Sequence, residues 1–287
     1  MLRRAVRFTG KTFISLGVLI LLFVVYQLWG TSIAQGRDQK ELKSRLTEQL
    51  VPTPRAATPA PAPAERQLGD AVALIRIPKI GVDQAVVEGV GVEDLKKGPG
   101  HYPETPMPGE TGNAAVAGHR TTYGAPFYRL DELSVGDSVM VTTRAGQFRY
   151  EVSESRVVSP NTVEVLDDTG DARLTLTTCN PRFSAAQRLI VVSRLIGPAV
   201  APPPSPPIDF GPELPTKAAR AGLSGKAAAK EPAVISGSLA ALVWAVTWLV
   251  ARSWQRRWLA YLLGAPVFFV ILFVFFENVA RLLPANV

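Results

Sequence analysis

Cys179 is the only cysteine in the 287 residues, and His101 and His119 are the only histidines. Covalent chemistry on a side chain therefore has few places to happen. Cys179 closes the run Arg-Leu-Thr-Leu-Thr-Thr-Cys (173–179), just ahead of the turn-forming Asn180-Pro181. A strand end facing a loop holds a side chain rigidly and leaves it accessible. A lone cysteine is, by itself, more often a small buried hydrophobe than a nucleophile. An unpaired thiol facing an oxidising exterior is nonetheless a liability unless it is used. To be used, it needs a positive neighbour to lower its pKa and a proton donor for a leaving amine. His119 and Arg188 are the candidates. His119 lies in Ala-Gly-His-Arg-Thr-Thr-Tyr-Gly (117–124), directly after an apolar stretch, where a strand would meet a loop. Arg188 follows Cys179 by nine residues and opens the apolar run 189–196. A strand, a loop and a strand would set Cys179 and Arg188 side by side at one sheet edge. There a guanidinium suits a developing oxyanion or a substrate carbonyl, although a solvated arginine or a structural histidine is the plainer reading of each residue alone.

The elements that must position these residues are mostly short strands. Apolar or alternating runs at 71–77, 85–90, 113–117, 138–143, 147–153, 173–179 and 188–196 read as strands. Arg144-Ala145-Gly146 reads as a short hairpin loop. About eight short strands with little helical periodicity predict a closed or nearly closed β-barrel over 69–197. His101, in Gly-Pro-Gly-His-Tyr-Pro (98–103), reads as a turn residue with a structural role, a place near a binding groove being the alternative. Arg120 and Arg182 read as solvated side chains flanking the site.

Charged residues make up only 19% of the chain, and its mean hydropathy is +0.15, which hints that part of it sits in lipid. Phe13–Trp29 is free of charge over 17 residues, and two further uncharged runs of 19 residues, 233–251 and 258–276, are joined by six residues. These predict an N-terminal anchor and a C-terminal helical hairpin, with Pro266 tolerated inside a membrane span. Seven of the 31 bases cluster in two acid-free segments, Arg3, Arg4, Arg7 and Lys11 in one and Arg252, Arg256 and Arg257 in the other. If the N-terminus is cytoplasmic, both clusters fall on the cytoplasmic side, as the positive-inside rule requires. The remaining 24 bases face 24 acids, so the charge argues against a nucleic-acid-binding surface.

The expected order is a cytoplasmic tail and anchor at 1–30, a solvated juxtamembrane helix and Pro-rich linker at 31–68, and the barrel at 69–197. A Pro/Ala-rich linker at 198–232, the helical hairpin at 233–276 and a tail at 277–287 complete it.

Thr-Leu-Thr-Thr-Cys (175–179), with Arg188 nine residues on and His119 about sixty residues earlier, resembles the signature of the sortases, membrane-anchored cysteine transpeptidases of Gram-positive bacteria. The segment 98–127 is most similar to class E sortases of actinobacteria. The resemblance covers about 70–197. It implies an eight-stranded sortase-type barrel with short helices, beside the three transmembrane helices. It also implies a catalytic triad of His119, Cys179 and Arg188, with Tyr123 in signal recognition and Thr178 assisting substrate and oxyanion.

In that family the cysteine attacks the Thr–Gly carbonyl of an LPXTG-like signal, LAXTG in class E, and an amine from the cell wall resolves the thioester. The implied partners are sorting-signal-bearing surface proteins and a lipid-linked peptidoglycan precursor, at the membrane and outside the cell, with no nucleic acid and no cofactor. No acidic cluster matches the calcium site of class A, so no metal is carried over, and no Asp-Pro-aromatic lid like that of class C is present. The extra C-terminal hairpin departs from the single anchor that a sortase needs. The competing readings are a hydrolytic membrane-anchored cysteine protease and a non-enzymatic envelope scaffold. An L,D-transpeptidase is disfavoured because Leu-Thr-Thr-Cys stands where Ser-x-Gly-Cys is usual.

Overall fold

The computed structural model describes residues 2–50, 66–200, 230–254 and 257–280. Most of both Pro-rich linkers, Arg256 and the last seven residues lie outside the described residues. The chain divides into two units, one of residues 2–30 with 230–280 and the other of residues 31–200.

The first unit is helical. Helix α1 (Leu2–Val25) runs into a π-turn at Tyr26–Gly30. Near the C-terminus, helix α4 (Glu231–Ser253) and helix α5 (Arg257–Ala280) form a hairpin. The apolar helices here are long enough to cross a membrane. Helix α5 continues through Pro266. Inside the unit, Tyr26 packs edge-on against Phe273, with ring centroids 5.0 Å apart, and Asn278 Nδ2 donates to Ser236 Oγ at 3.3 Å. Large apolar side chains such as Trp244, Leu263 and Phe269 point outward, which suits lipid rather than water.

The second unit is a closed eight-stranded barrel in the order β1-β2-β3-β4-β7-β8-β6-β5. Its strands are β1 (Ala71–Ile77), β2 (Val82–Glu88), β3 (Gly100–His101), β4 (Asn113–Ala117), β5 (Ser138–Thr143), β6 (Gly146–Val158), β7 (Arg173–Asn180) and β8 (Gln187–Ile196). Two pairings, β2–β3 and β4–β7, are parallel and the rest antiparallel. The barrel is filled by one face of every strand but the two-residue β3, for example Ile75, Val116, Val141, Tyr150, Leu174, Leu176 and Val191. Successive side chains alternate across a strand, so one parity points inward throughout.

Four sequence expectations change in detail. Strand β2 starts at Val82 because a turn at Pro78–Ile80 delivers Val82 directly opposite Ile77. Strand β6 extends to Val158, past an irregularity at Val152–Glu154. The β5–β6 turn is only Arg144-Ala145, since Gly146 already pairs with Thr143. His101 belongs to β3 rather than a turn, its two-residue strand being too short to leave a periodic signal.

A larger change concerns helix α2 (Thr31–Leu50), expected to be solvated. Thr31, Gln35, Gln39, Leu42 and Leu46 are all buried. Their spacing of four, four, three and four residues forms one stripe on a helix. Leu42 packs on Ala85 and Val87 of the barrel, while the charged residues occupy the other faces. Mixed charge in the sequence concealed a helix whose one buried face is half polar. Short helix α3 (Val92–Lys97) follows β2.

Candidate active site

The site lies where β4 and β7 end and β8 begins. Gly118 N–H donates to Thr177 O at 3.0 Å, prolonging the parallel β4–β7 ladder by one step beyond Ala117. His119 therefore leaves the sheet level with the end of β7. Cys179 and Arg188 are direct partners across the antiparallel β7–β8 ladder. Directly opposed residues of an antiparallel pair present their side chains on one face. Alternation puts Thr175, Thr177 and Cys179 on the outer face of the wall, with Arg188, Ile190 and Val192 opposite them. Leu174, Leu176 and Thr178 take the inner face.

Each candidate side chain is held by its own contacts. Arg188 is 4% exposed, and its Nη1 donates to Ala185 O at 2.9 Å and Gln187 O at 3.0 Å. Backbone carbonyls thus fix the guanidinium on the cysteine's side of the wall. Burial raises the Cys179 pKa above its ordinary value, and the charges of Arg188 and Arg120 act against that rise. The thiol is the favoured form at neutral pH, with two cations near enough to stabilise the thiolate once it forms. His119 is 9% exposed, and its ring centroid lies 5.0 Å from that of Tyr123 at an interplanar angle of 38°. Tyr123 has a φ of 50°, a left-handed conformation that a tyrosine seldom adopts.

Thr178 is not on the cysteine's face. Its hydroxyl donates to Gly118 O at 2.8 Å, which ties β7 to the residue preceding His119. His101 is fully buried, with Nδ1 3.0 Å from Glu88 Oε2 and Nε2 3.0 Å from Pro106 O. These contacts give it a structural setting in β3.

Arg120 corrects the expectation of a solvated flank. It is 2% exposed, its Nη1 donating to Cys179 O and to Asn180 Oδ1, both at 3.0 Å. Its Nη2 lies 3.0 Å from Asp131 Oδ1, an oxygen that Arg182 Nη2 also reaches at 3.0 Å. Arg182 is the more open of the two and stacks over the Tyr128 ring at 4.4 Å. Arg120 thereby fastens the backbone of Cys179 to the loop that carries His119. Tyr102 was likewise not singled out by the sequence. It is buried, its hydroxyl lies 3.4 Å from Thr177 Oγ1, and burial pushes its pKa to about 12. The charges of Arg188 and Cys179 both act on it, so it sits under the outer face of the site wall. Neither residue carries a periodic or charge signal that separates a buried anchor from a surface side chain.

A thiol paired across the ladder with a fixed guanidinium, beside a strand end that leads into a histidine, is an arrangement suited to acyl transfer. Residues 75–196 match the family model described as the sortase domain. The chain is 36% identical over 208 residues to sortase SrtE1 of Streptomyces coelicolor, covering 67% of this chain and 57% of that protein. It is 33% identical over 135 residues to sortase D of Bacillus subtilis, covering 45% of this chain and 66% of that one. It thus spans less than two thirds of the length of either relative. The solved structure of a Clostridium perfringens sortase D5 transpeptidase is 34% identical with a TM-score of 0.50, covering 56% of this chain and 99% of that one.

Proposed function

This chain belongs to the sortase family, and from that premise we propose that it is a membrane-anchored cysteine transpeptidase acting on an LAXTG- or LPXTG-like sorting signal. The observation that carries the reading is the direct pairing of Cys179 with Arg188, on the strand wall whose end also emits His119. The 36% identity to SrtE1 favours the class E form of the signal.

The steps follow from the residues. Cys179 Sγ attacks the carbonyl carbon between Thr and Gly of the signal, and its proton passes to His119. A tetrahedral oxyanion forms, and the cationic guanidinium of Arg188 stabilises that charge or aligns the substrate backbone. His119 then gives its proton to the departing glycine amine as the C–N bond breaks, leaving a thioester on Cys179. The incoming amine loses a proton to His119 while attacking the thioester, which forms the new amide and returns the thiol. Because burial raises the Cys179 pKa, the resting sulfur is chiefly thiol, and the thiolate is a minor, reactive population. Tyr123 lines the approach beside His119. Thr178 acts through its bond to the Gly118 carbonyl, as a positioning residue rather than a substrate ligand.

In this reading the basic clusters 3–11 and 252–257 lie in the cytoplasm, and the barrel acts outside. The substrates are surface proteins bearing the signal, and the amine belongs to a lipid-linked peptidoglycan precursor. Holding enzyme and substrates at one membrane raises their effective concentration.

The test is mass spectrometry of the full chain in detergent with an LAXTG peptide and a candidate amine. A peptidyl adduct on Cys179, absent in Cys179→Ala, together with an amide-linked product is expected. Partner capture that is indifferent to Cys179→Ala, with no adduct, rejects the enzyme. An adduct resolved only by water makes it a protease.

A further inference from the structure

Helix α2 is more than a spacer after the anchor, because its buried stripe divides into two chemically different halves. The later half, Leu42 and Leu46, is apolar and supplies ordinary packing on the barrel. The earlier half, Thr31, Gln35 and Gln39, is polar and just as deeply buried. Buried polar side chains are stable only when hydrogen-bonded, so their partners reveal what the helix holds.

Gln39 clasps the barrel. Its Nε2 donates to Ala85 O at 3.0 Å and Lys97 O at 2.8 Å, while its Oε1 accepts from Ala85 N–H at 2.7 Å. That side chain joins β2 to the end of α3. Gln35 donates through Nε2 to Gln84 Oε1 at 2.7 Å. Its Oε1 lies so close to Gly124, where φ is +74°, that a Cβ there would overlap it. Thr31 Oγ1 accepts from the Tyr123 N–H at 3.2 Å. The first two residues of the buried stripe therefore grip the Tyr123–Gly124 turn, whose tyrosine ring lies against the His119 imidazole.

The left-handed φ of Tyr123 makes this grip consequential. A non-glycine residue in that region is strained and persists only where its surroundings hold it. The Thr31 hydroxyl is one such hold and Gln35 against Gly124 is another. We infer that Thr31 and Gln35 are positioning residues of the active site, which set the Tyr123 turn and through it the His119 ring, so that the catalytic unit includes the juxtamembrane helix. This rests on the transpeptidase reading, in which His119 exchanges protons with Cys179.

The experiment uses the full chain in detergent micelles and two readouts. One is the pH profile of iodoacetamide alkylation, which reports Cys179 alone because it is the only thiol. The other is kcat and KM for an LAXTG peptide with an amine acceptor. The variants are Thr31→Val, the double variant Thr31→Val/Gln35→Ala, the conservative Thr31→Ser, and Lys43→Ala. Lys43 serves as the control because it binds Asp83 at the exposed side of the same helix.

The double variant should lose about tenfold in kcat with KM little changed, and its alkylation profile should shift, the expected order for a misplaced proton carrier. Thr31→Val should lose less, and Thr31→Ser and Lys43→Ala should match the parent. A kcat and an alkylation profile unchanged in both valine-containing proteins would overturn the proposal. So would a loss shared equally by Lys43→Ala or not rescued by serine, which would mark mere destabilisation. If the double variant fails to fold, Thr31→Val decides. A parent chain that turns over no signal peptide rejects the transpeptidase reading instead, and the alkylation profiles still decide the coupling.

Discussion

The two walls of the barrel solve the same folding problem differently. In β5 and the first half of β6, inward Val139, Val141, Phe148 and Tyr150 alternate with more open Met140, Gln147, Arg149 and Glu151. In β4 all five residues are buried, as are Leu174–Thr178 of β7 and Arg188–Ser193 of β8. The second wall is covered on its outer face by Tyr102, Val165 and Leu166. A strand covered on both faces must either be apolar throughout or give every polar side chain a partner. This wall takes the second course for most of its polar side chains, the buried Ser193 hydroxyl being an exception. Asn113 accepts from Thr175 Oγ1 at 2.6 Å and donates to Val165 O and Asp167 O, and Thr178 binds Gly118 O. The candidate catalytic groups stand at the end of that wall, whereas most polar side chains of the other wall are more open.

The sharpest way to break this contrast is at the sulfur. Cys179→Ala should abolish the peptidyl adduct and lower turnover by at least about 10³-fold, read by mass spectrometry, with the fold retained. Residual turnover near the parent level would remove the site wall from the chemistry. Arg188→Lys comes next. It keeps a charge but loses the planar fork held by Ala185 and Gln187, so kcat/KM should fall about 10²-fold. Asn113→Ala should act on stability instead. It strands a buried threonine hydroxyl and two carbonyls, and thermal unfolding should report a loss of about 2 to 3 kcal/mol.

A smaller effect concerns pH. Because burial holds the Cys179 thiol protonated above its ordinary range, the alkylation rate should still be climbing where a free cysteine, with a pKa of about 8.5, has reached its plateau. A plateau near neutrality would instead mean a stabilised thiolate. The least change is expected away from both walls, in the turn between β1 and β2. Lys79→Ala removes an exposed pair with Asp137 and should shift stability by no more than about 0.5 kcal/mol, with turnover unaltered.

The contrast between the walls also explains what could be read beforehand. Strands β1, β4 and β5 are legible to the residue because alternation or a short apolar run ends at a turn former. The adjacency of Cys179 and Arg188 follows from two such runs and a nine-residue interval. Strand β3 was hidden, since two residues flanked by glycine and proline carry no period. Arg120 was hidden for a different reason. Its neighbour His119 is visible as a type, but its own burial depends on Asp131 and on carbonyls sixty positions away. The face of Thr178 could be read only from parity, because Cys179 beside it looks the other way. The grip of α2 was masked by composition, since threonine and glutamine look equally natural on a solvated helix.

The tight turn at Arg144-Ala145 sits at the end of the barrel remote from Cys179, where Arg144 Nη2 reaches Gln49 Oε1 near the finish of α2. Beyond that bond, a graft there would disturb only a local one, from Ala145 N–H to Thr143 Oγ1 at 3.1 Å. That turn is therefore the place to splice a fluorophore, an affinity handle or a tether to a solid support. Protein immobilised through it would keep Cys179 directed away from the matrix.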